Sequence, residues 1–268
     1  SVDLMTVQTM LYQHFQPDEH PFIERMLDLI ARVEANYLLE VTDFLNPREV
    51  TILKGLVAAT NLQCFSSTDY YPSEYGRVIV APDYYCLDKA DFDLALIEVT
   101  YNAKFNQLTH AQILGTLINE LGIKRALLGD IFVEIGHAQV MINRQLLSYC
   151  LGTIAKIARA RVKLKEIDLD QLLNLTANQQ VLIDIMVSSL RVDRLIATVL
   201  KQSRNQAIRL VEAGKVKVNY QLVTKASQPV AVGDLISIRG YGRFSILTDN
   251  GFTKNGKYKL TLSKMMRK

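Results

Sequence analysis

The sequence has few cysteines and no long apolar run, and these absences exclude several classes of protein. Its three cysteines, Cys64, Cys86 and Cys150, are far apart and form no C-x-x-C pair. They are typical of free thiols in a reducing compartment rather than of disulfides or a zinc site. No stretch approaches the roughly 18 apolar residues that a membrane-spanning helix needs. Residues 1–16 lack the basic start and apolar run of a secretory signal. We therefore predict no stable membrane insertion and a cytoplasmic location.

The chain also lacks the common signatures of catalysis. Neither G-x-G-x-x-G nor G-x-x-x-x-G-K-[ST] occurs, although nucleotide-dependent enzymes need such glycine-rich turns. The four histidines have no metal-ligand spacing; they are His14, His20, His110 and His137. The acidic group Asp88, Asp91 and Asp93 is typical of a solvated loop rather than of an acid–base pair. We predict no catalytic residue, no metal and no cofactor.

Charge is present, and it is unevenly distributed. The net charge of the 268 residues is +4, but residues 181–268 hold 16 Lys and Arg against 5 Asp and Glu, a net of +11. Residues 1–180 hold 15 against 22, a net of −7. This asymmetry indicates an anionic partner for the C-terminal third, without choosing among RNA, DNA and membrane.

The first 180 residues mix helices and strands without a steady β-α-β rhythm, which indicates an α+β fold. Helices are predicted over 19–40, from Asn46 with Glu49 completing a capping box, from the Thr109–Gln112 capping box to Gly122, and over 143–158. Strands are predicted at 64–66, 78–80 and 94–99, with a hairpin at 131–135 and 139–142. We predict a mainly helical subdomain at 1–75, an α+β subdomain at 76–168 and a connector at 169–185, which includes most of the polar stretch 168–180.

Residues 159–167 alternate between basic and apolar side chains. Arg161, Lys163 and Lys165 would share one face of a strand, with Val162 and Leu164 toward the interior. They are a candidate auxiliary RNA-binding strip, although an ordinary solvated sheet face explains the alternation equally well.

The sequence pattern of residues 186–240 predicts two short helices followed by strands. Leu195, Ile196, Val199 and Leu200 recur at helical spacing. Ser203 is a natural N-cap for the second helix, and Gly214 can end it. Strands follow at 216–218 and, after a Gly233-Asp234 turn, at 235–238. Two helices packed on a small sheet could gather several arginines and lysines onto one phosphate-binding surface.

The basic region continues to the C-terminus as a hairpin and tail, residues 241–268, with strands predicted at 243–248 and 257–262. Tyr241 and Arg243 are candidate auxiliary RNA contacts. Tyr241 and Phe244 could stack on bases, although aromatic side chains in such positions are more often packed in a core or simply exposed. Asp193 is interpreted as an internal cap or ion-pair partner, and Ser203 as a helix N-cap, rather than as reactive groups.

The order of signals in residues 186–240 resembles the S4 domain family. The matching residues are R-V-D at 191–193, S-R at 203–204, Ala207, Leu210, Gly214, V-x-V-N at 216–219 and G-D at 233–234. Tyr220 departs from the pattern, because the family usually has glycine there. The resemblance implies an RNA contact surface of Arg191, Arg194, Arg204, Gln206, Arg209, Lys215, Lys217 and Asn219.

The whole chain resembles the YlmH family of bacterial S4 proteins. The supporting features are L-G-D-I at 128–131, K-I-A-R-A-R-V at 156–162 and the C-terminal position of the S4 segment. The resemblance implies a non-catalytic RNA-binding protein whose partners are rRNA, tRNA and the large ribosomal subunit, with a task in handling stalled peptidyl-tRNA during ribosome-associated quality control. Two alternatives stay open: an RNA-modifying enzyme, such as a pseudouridine synthase or methyltransferase, with an unfamiliar N-terminal active site, and a cell-division adaptor. The oligomeric state is not predicted.

Overall fold

The computed structural model describes residues 13–173 and 181–266. The chain divides into two compact units, residues 19–174 (the N-terminal unit) and residues 1–18 with 175–268 (the C-terminal unit). Residues 1–12, considered above for a secretory signal, lie outside the described residues, as do residues 174–180 of the predicted connector.

Within its described residues, the N-terminal unit has four α-helices, two of which begin at capping boxes. They are α1 (His20–Asn36), α2 (Pro47–Ala58), α3 (His110–Leu121) and α4 (Leu147–Thr153). Both predicted capping boxes are confirmed: Asn46 pairs with Glu49 before α2, and Thr109 pairs with Gln112 before α3. The helix α3 ends at Gly122, whose positive φ of 62° suits glycine.

The first sheet of this unit has three antiparallel strands. They are β1 (Glu40–Val41), β2 (Gln63–Ser66) and β3 (Val78–Ala81). Their order in the sheet is β1-β3-β2. The central strand β3 lies beyond the predicted break near residue 75, so a boundary there would divide this sheet.

The second sheet has four antiparallel strands. They are β4 (Leu94–Thr100), β5 (Leu128–Glu134), β6 (His137–Asn143) and β9 (Lys163–Ile167), and their order is β5-β6-β4-β9. Ala95, Ile97 and Val99 of β4 belong to the buried core that includes α3. The alternate residue Leu94 shares a second core with Ile79 of the first sheet. This four-stranded sheet therefore has apolar packing on both faces.

Two predictions between residues 143 and 167 are wrong in detail. The predicted helix over 143–158 is a 3-10 turn, Arg144–Leu146, followed by α4, which ends at Thr153. The predicted continuous strand over 159–167 is divided into β8 (Ala160–Arg161) and β9, and β8 pairs instead with β7 (Lys156–Ile157). The reason is tertiary, because Ala158 turns the chain with a φ of 52° so that Ile157 and Ala160 are both buried.

The C-terminal unit packs two helices against a six-stranded antiparallel sheet, as predicted for an S4 fold. The helices are α5 (Val192–Leu200) and α6 (Arg204–Glu212). The strands are β10 (Val181–Val187), β11 (Val216–Val218), β12 (Gln221–Leu222), β13 (Leu235–Ile238), β14 (Gly242–Phe252) and β15 (Tyr258–Met266). Their order is β10-β15-β14-β13-β11-β12. The α+β fold class is thereby confirmed.

Two strands of this sheet were missed, β10 and the two-residue β12. The predicted connector extended to residue 185, whereas residues 181–187 form β10 and pair along their whole length with β15. Ile183 and Ile185 pack against the core, while Leu182 and Met186 on the opposite face are 62% and 60% exposed. Because both faces carry apolar side chains, the alternation of apolar and polar residues that marks a strand is absent.

Short 3-10 turns connect several elements. They are Pro17–Glu19, Ser67–Asp69, Lys89–Phe92, Arg125–Leu127, Arg144–Leu146 and Leu169–Gln171.

Candidate nucleic-acid interface

A buried carboxylate joins two of the predicted RNA-binding arginines. Asp193, in the first turn of α5, is fully buried. It accepts hydrogen bonds from Nε and Nη2 of Arg191, at 3.1 and 2.9 Å, and from the backbone N–H of Arg194 at 2.9 Å. From α6, Nε of Arg204 lies 3.8 Å from the same carboxylate. The prediction that Asp193 is an internal ion-pair partner is confirmed.

This arginine cluster, formed by Arg191 and Arg204 around Asp193, is suited to bind an anion. The two arginine side chains remain 33% and 47% exposed. One carboxylate cannot neutralise two guanidinium groups, so the cluster keeps an excess positive charge. Asp193 takes only two of the five N–H donors of Arg191, which leaves donors for a ligand. Because the internal hydrogen bonds already fix Arg191, little side-chain entropy is lost when a phosphate binds.

Arg194 adds an unsatisfied donor beside this cluster. Its Nε is buried and has no hydrogen-bond partner within residues 13–173 and 181–266. A buried donor without an acceptor is unfavourable by about 1–3 kcal/mol. A phosphate oxygen is an acceptor of the right charge for a guanidinium group.

The first turn of α6 positions Arg204 at the surface, whereas the side chain of Gln206 is used to cap the helix. Oγ of Ser203 accepts from the backbone N–H of Gln206 at 3.2 Å, and Oε1 of Gln206 accepts from the N–H of Ser203 at 3.0 Å. The prediction that Ser203 is an N-cap is confirmed, and the amide oxygen of Gln206 completes a capping box. Arg204 and Arg209 are both exposed, but five residues of helix separate their directions by roughly 140°. They leave the helix toward different parts of the surface.

The strands bring a further arginine beside the predicted lysines. Lys215 and Lys217 are exposed, while Val216 and Val218 are buried, as the alternation predicts. Arg239, which follows β13, donates its backbone N–H to the carbonyl of Lys215 at 2.8 Å and is itself exposed. Arg239 was not predicted from the sequence, although the pairing of β11 with β13 would have revealed it.

Asn219 is held inside the domain by both ends of its side chain. Its Nδ2 donates to Asp234 Oδ1, and its Oδ1 accepts from the N–H of Leu235, each at 2.9 Å. Asn219 and Tyr220 both have positive φ, at 48° and 67°. The turn therefore keeps a left-handed conformation although Tyr220 stands where the family usually has glycine, at a cost of roughly 1–2 kcal/mol. The RNA contact predicted for Asn219 would therefore have to use the second N–H of its Nδ2 or the second lone pair of its Oδ1.

The aromatic residues of the C-terminal hairpin differ in exposure. Phe244 is 1% exposed and belongs to the core, so its predicted stacking on a base is wrong. Tyr241 is 36% exposed, and its hydroxyl lies 3.5 Å from Nε2 of Gln202. Tyr241 therefore lies near Lys201, which precedes Gln202 in the chain and is exposed. Like Arg239, Lys201 was not predicted from the sequence as part of the surface. Arg243 is half-buried on β14.

The candidate auxiliary strip of the N-terminal unit lies on two strands rather than one. Arg161 belongs to β8, whereas Lys163 and Lys165 belong to β9, and all three side chains are exposed. Nζ of Lys165 lies 3.6 Å from a carboxylate oxygen of Glu98, so part of its charge is already balanced. Arg161 and Lys163 make no ion pair with any residue that the structure describes.

Several potentially reactive groups of the N-terminal unit have structural partners or lie wholly or partly buried, although Cys86 is exposed. Burial raises the pKa of the Cys64 and Cys150 thiols to about 11, which makes them poor nucleophiles. Burial also raises the pKa of Asp130, whose carboxylate accepts the backbone N–H groups of Glu74 and Tyr75 at 2.7 and 2.8 Å. A pocket of about 360 Å³ includes Arg144 and Glu166, and these two side chains form an ion pair with each other at 2.7 Å.

Metal sites and membrane-spanning helices are both absent from residues 13–173 and 181–266. No group of three or more His, Cys, Asp or Glu side chains could hold a metal ion within these ranges. None of the helices described there is both long enough and apolar enough to cross a membrane.

Three family models match successive parts of the chain. "YlmH, N-terminal" matches residues 18–85, "Putative RNA-binding domain in YlmH" matches residues 88–171, and "S4 domain" matches residues 190–236. The last match includes the arginine cluster, and the second includes the auxiliary strip.

Two relatives agree with these matches. A protein of Bacillus subtilis (strain 168), named "Ribosome-associated protein quality control protein P2", is 35% identical over 254 residues, which cover 95% of this chain and 98% of that protein. A solved structure, "Cell division protein ylmH from Streptococcus pneumoniae", is 42% identical, with a TM-score of 0.55 over 61% of this chain and 99% of the solved chain.

Proposed function

The chain belongs to the YlmH family of S4-domain proteins, and on that premise we propose that it binds structured RNA through the arginine cluster around Asp193. The observation that carries the proposal is the sharing of one buried carboxylate by Arg191 and Arg204. This arrangement holds two planar donors at a partly exposed surface, and phosphate oxygens fit such donors in a bidentate manner. Arg194, Arg209, Lys215 and Lys217 supply further charge, and we add Lys201 and Arg239 to the predicted surface.

We further propose that the RNA is rRNA, tRNA or both, bound on the large ribosomal subunit in the cytoplasm. The name of the Bacillus subtilis relative supports a role in ribosome-associated quality control. On this hypothesis the protein handles stalled peptidyl-tRNA by holding RNA in position, without catalysing a reaction. The raised pKa of the Cys64 and Cys150 thiols supports the absence of catalysis by these two groups, because such thiols are poor nucleophiles.

The name of the Streptococcus pneumoniae relative supports a second candidate function, participation in cell division. An RNA-binding factor and a division factor need not exclude each other, but they differ in the partner that is recovered. Sedimentation of the tagged protein with ribosomal subunits, followed by sequencing of the bound RNA, separates the two. Recovery of division proteins without RNA would favour the second candidate.

The principal test replaces two arginines of α6. We expect Arg204→Ala/Arg209→Ala to weaken binding to tRNA and to large subunits at least tenfold, because charged hydrogen bonds to phosphate are worth roughly 1.5–3 kcal/mol each. The matched control is Lys254→Ala/Lys257→Ala, which removes the same charge from exposed positions at the β14–β15 turn. Equal binding by the arginine variant and the wild type, in filter-binding or sedimentation assays, would show that the proposed surface is wrong.

Salt dependence gives a second measure of the same contacts. The logarithm of the affinity should fall with the logarithm of salt concentration, and the slope should become shallower by about 0.7 for each phosphate contact removed. The arginine variant should therefore show a shallower slope than the lysine control.

Mass-spectrometric comparison of RNA modifications with and without the protein tests the enzyme alternative, and one missing modification would support it.

A further inference from the structure

Two large apolar side chains are exposed on adjoining loops of the N-terminal unit. Phe105, in the loop between β4 and α3, is 74% exposed, and Ile135, in the turn between β5 and β6, is 84% exposed. The loops touch, because the N–H of Tyr101 donates to the carbonyl of Gly136 at 3.1 Å. A Cβ atom at Gly136 would lie 3.1 Å from Cβ of Ala103. Neither exposed side chain contributes to a core.

Hydrogen bonds on both sides of Phe105 constrain the backbone of its loop. The N–H of Lys104 donates to Oδ1 of Asn102 at 3.0 Å, and the N–H of Leu108 donates to the hydroxyl of Tyr101 at 3.1 Å. Together with the bond from Tyr101 to Gly136, these contacts bracket Phe105 on both sides. An aromatic ring presented on such a loop loses little conformational entropy when it binds a partner.

Unbalanced positive charge surrounds the ring. Nζ of Lys104 lies 5.5 Å from the centroid of the Phe105 ring. Lys163 is paired with Thr100, the last residue of β4, so it lies at the same end of the sheet, and Arg161 precedes it by two residues. Within the described parts of the chain, none of these three cations has a carboxylate partner.

The acidic groups at this end of the sheet are fewer than the cations. Glu134 lies 3.1 Å from Nδ1 of His137, and Glu98 lies 3.8 Å from Nε2 of the same histidine and 3.6 Å from Nζ of Lys165. Even with His137 neutral, these two carboxylates stand against four cations, Lys104, Arg161, Lys163 and Lys165, a net of +2, which favours an anionic ligand over a basic or neutral protein surface.

We propose that Phe105 is a stacking platform for an unpaired base of single-stranded RNA, whose phosphates are bound by Lys104, Lys163 and Arg161. An exposed ring with cations beside it matches the two parts of such a ligand, a flat base and a charged backbone. Ile135 supplies an apolar edge beside the base. The proposal rests on the proposed RNA-binding function, but it concerns a site in the other unit of the chain.

The absence of tryptophan from the sequence permits a direct test. In the full-length Phe105→Trp variant the new indole is the sole tryptophan, and stacking on a base should quench its emission. We expect a labelled short single-stranded oligoadenylate to bind this variant, as seen by anisotropy, and to quench it in parallel. Tyr84→Trp is the matched control, because Tyr84 is 64% exposed in the same unit and should not be quenched. Binding without quenching of the Phe105→Trp variant would overturn the proposal.

Affinity measurements separate stacking from apolar contact. Phe105→Ala and Phe105→Leu should each weaken oligoadenylate binding about tenfold, the effect of losing one base–aromatic stack, whereas Phe105→Tyr should keep it. Wild-type affinity of the leucine variant would contradict stacking. A blue shift of Phe105→Trp emission with vesicles containing phosphatidylserine, without quenching by RNA, would identify a membrane contact instead and would also overturn the proposal.

A parallel titration with tRNA distinguishes failure of this inference from failure of the proposed function. If tRNA binds in a manner sensitive to Arg204→Ala/Arg209→Ala while the oligoadenylate does not bind, the stacking site is refuted and the S4 function stands. If neither RNA binds, both are refuted.

Discussion

At the scale of single residues, Asp193 both stabilises the C-terminal unit and positions its arginines. Asp193→Asn keeps the size of the side chain but removes the charge that two guanidinium groups share. Breaking one partner of a buried ion pair typically costs about 3–5 kcal/mol. We expect about 3 kcal/mol, the low end of that range, because both arginines are partly exposed. Denaturant unfolding would measure the loss.

Two comparisons test whether this loss comes from the arginines. Asp184→Asn, at an exposed position of β10, should change the free energy of unfolding by less than about 0.5 kcal/mol. In an Arg191→Ala background, Asp193→Asn should cost less than it does alone, because the pair is already broken. Additive effects of the two substitutions would argue against the pairing.

At the scale of elements, Asp130 joins strand β5 to the loop that precedes β3. Its two carboxylate oxygens accept the N–H groups of Glu74 and Tyr75, whereas an asparagine offers only one oxygen. Next to it, Gly129 leaves room for Phe44, since a Cβ atom there would lie 2.7 Å from the ring. This explains in physical terms why a Gly-Asp pair stands in the L-G-D-I segment.

The raised pKa of Asp130 gives a pH-dependent prediction. Because burial raises its pKa in the folded protein, the native state keeps this proton to higher pH than the unfolded chain does. The stability contributed by Asp130 should therefore fall as pH rises from its ordinary pKa of about 3.9 through the raised value, and then stay constant. Asp130→Asn should lower stability by about 1–3 kcal/mol through the lost acceptor. Urea unfolding across this pH range should show the advantage of the wild type over the variant shrinking as pH rises. An advantage that grows with pH would contradict this account.

Elements with local signals were predictable from the sequence. The N-caps Asn46, Thr109 and Ser203 act within three residues of themselves, and each helix begins where its capping box predicts. Alternation likewise predicted β11, because its two faces differ in polarity. These signals need no knowledge of the rest of the fold.

Elements decided by distant contacts were not predictable. The strand β10 depends on pairing with β15, about 80 residues later in the chain. The same limit applies to the candidate interface. The sequence shows which positions are arginines, but it does not show which of them lie close together in the fold. Asp193 and Arg204 approach each other only because α5 packs on α6, and Arg239 meets Lys215 only through the register of β11 and β13. The stacking proposed for Phe105 depends on its exposure, which spacing does not reveal.

At the scale of the whole molecule, the N-terminal and C-terminal parts of the chain differ in net charge and have separate hydrophobic cores. The core that includes Val192 and Leu262 draws on residues 183–262 alone, whereas the core that includes Ile97 and Ile113 lies within the N-terminal unit. The C-terminal third carries +11 and the remainder −7. The long-range attraction of RNA should therefore come from the C-terminal unit, and any RNA contact of the N-terminal unit should depend on local charges such as Lys104 and Lys163.

Separate cores predict two thermal transitions, each with its own response to RNA. In calorimetry, Asp193→Asn should lower one transition and Asp130→Asn the other, which identifies the units. A ligand at a hundredfold excess over its Kd stabilises the unit that it binds by about 2.7 kcal/mol. We therefore expect tRNA to raise the transition of the C-terminal unit, and Arg204→Ala/Arg209→Ala to cut that stabilisation to about 1.4 kcal/mol or less, since binding at least tenfold weaker leaves at most a tenfold excess over Kd. Oligoadenylate should raise the other transition, and Phe105→Ala should reduce this second effect alone. One cooperative transition that both aspartate variants lower equally would contradict independent units, and a tRNA effect on the C-terminal unit that is undiminished by loss of both arginines would contradict the proposed interface.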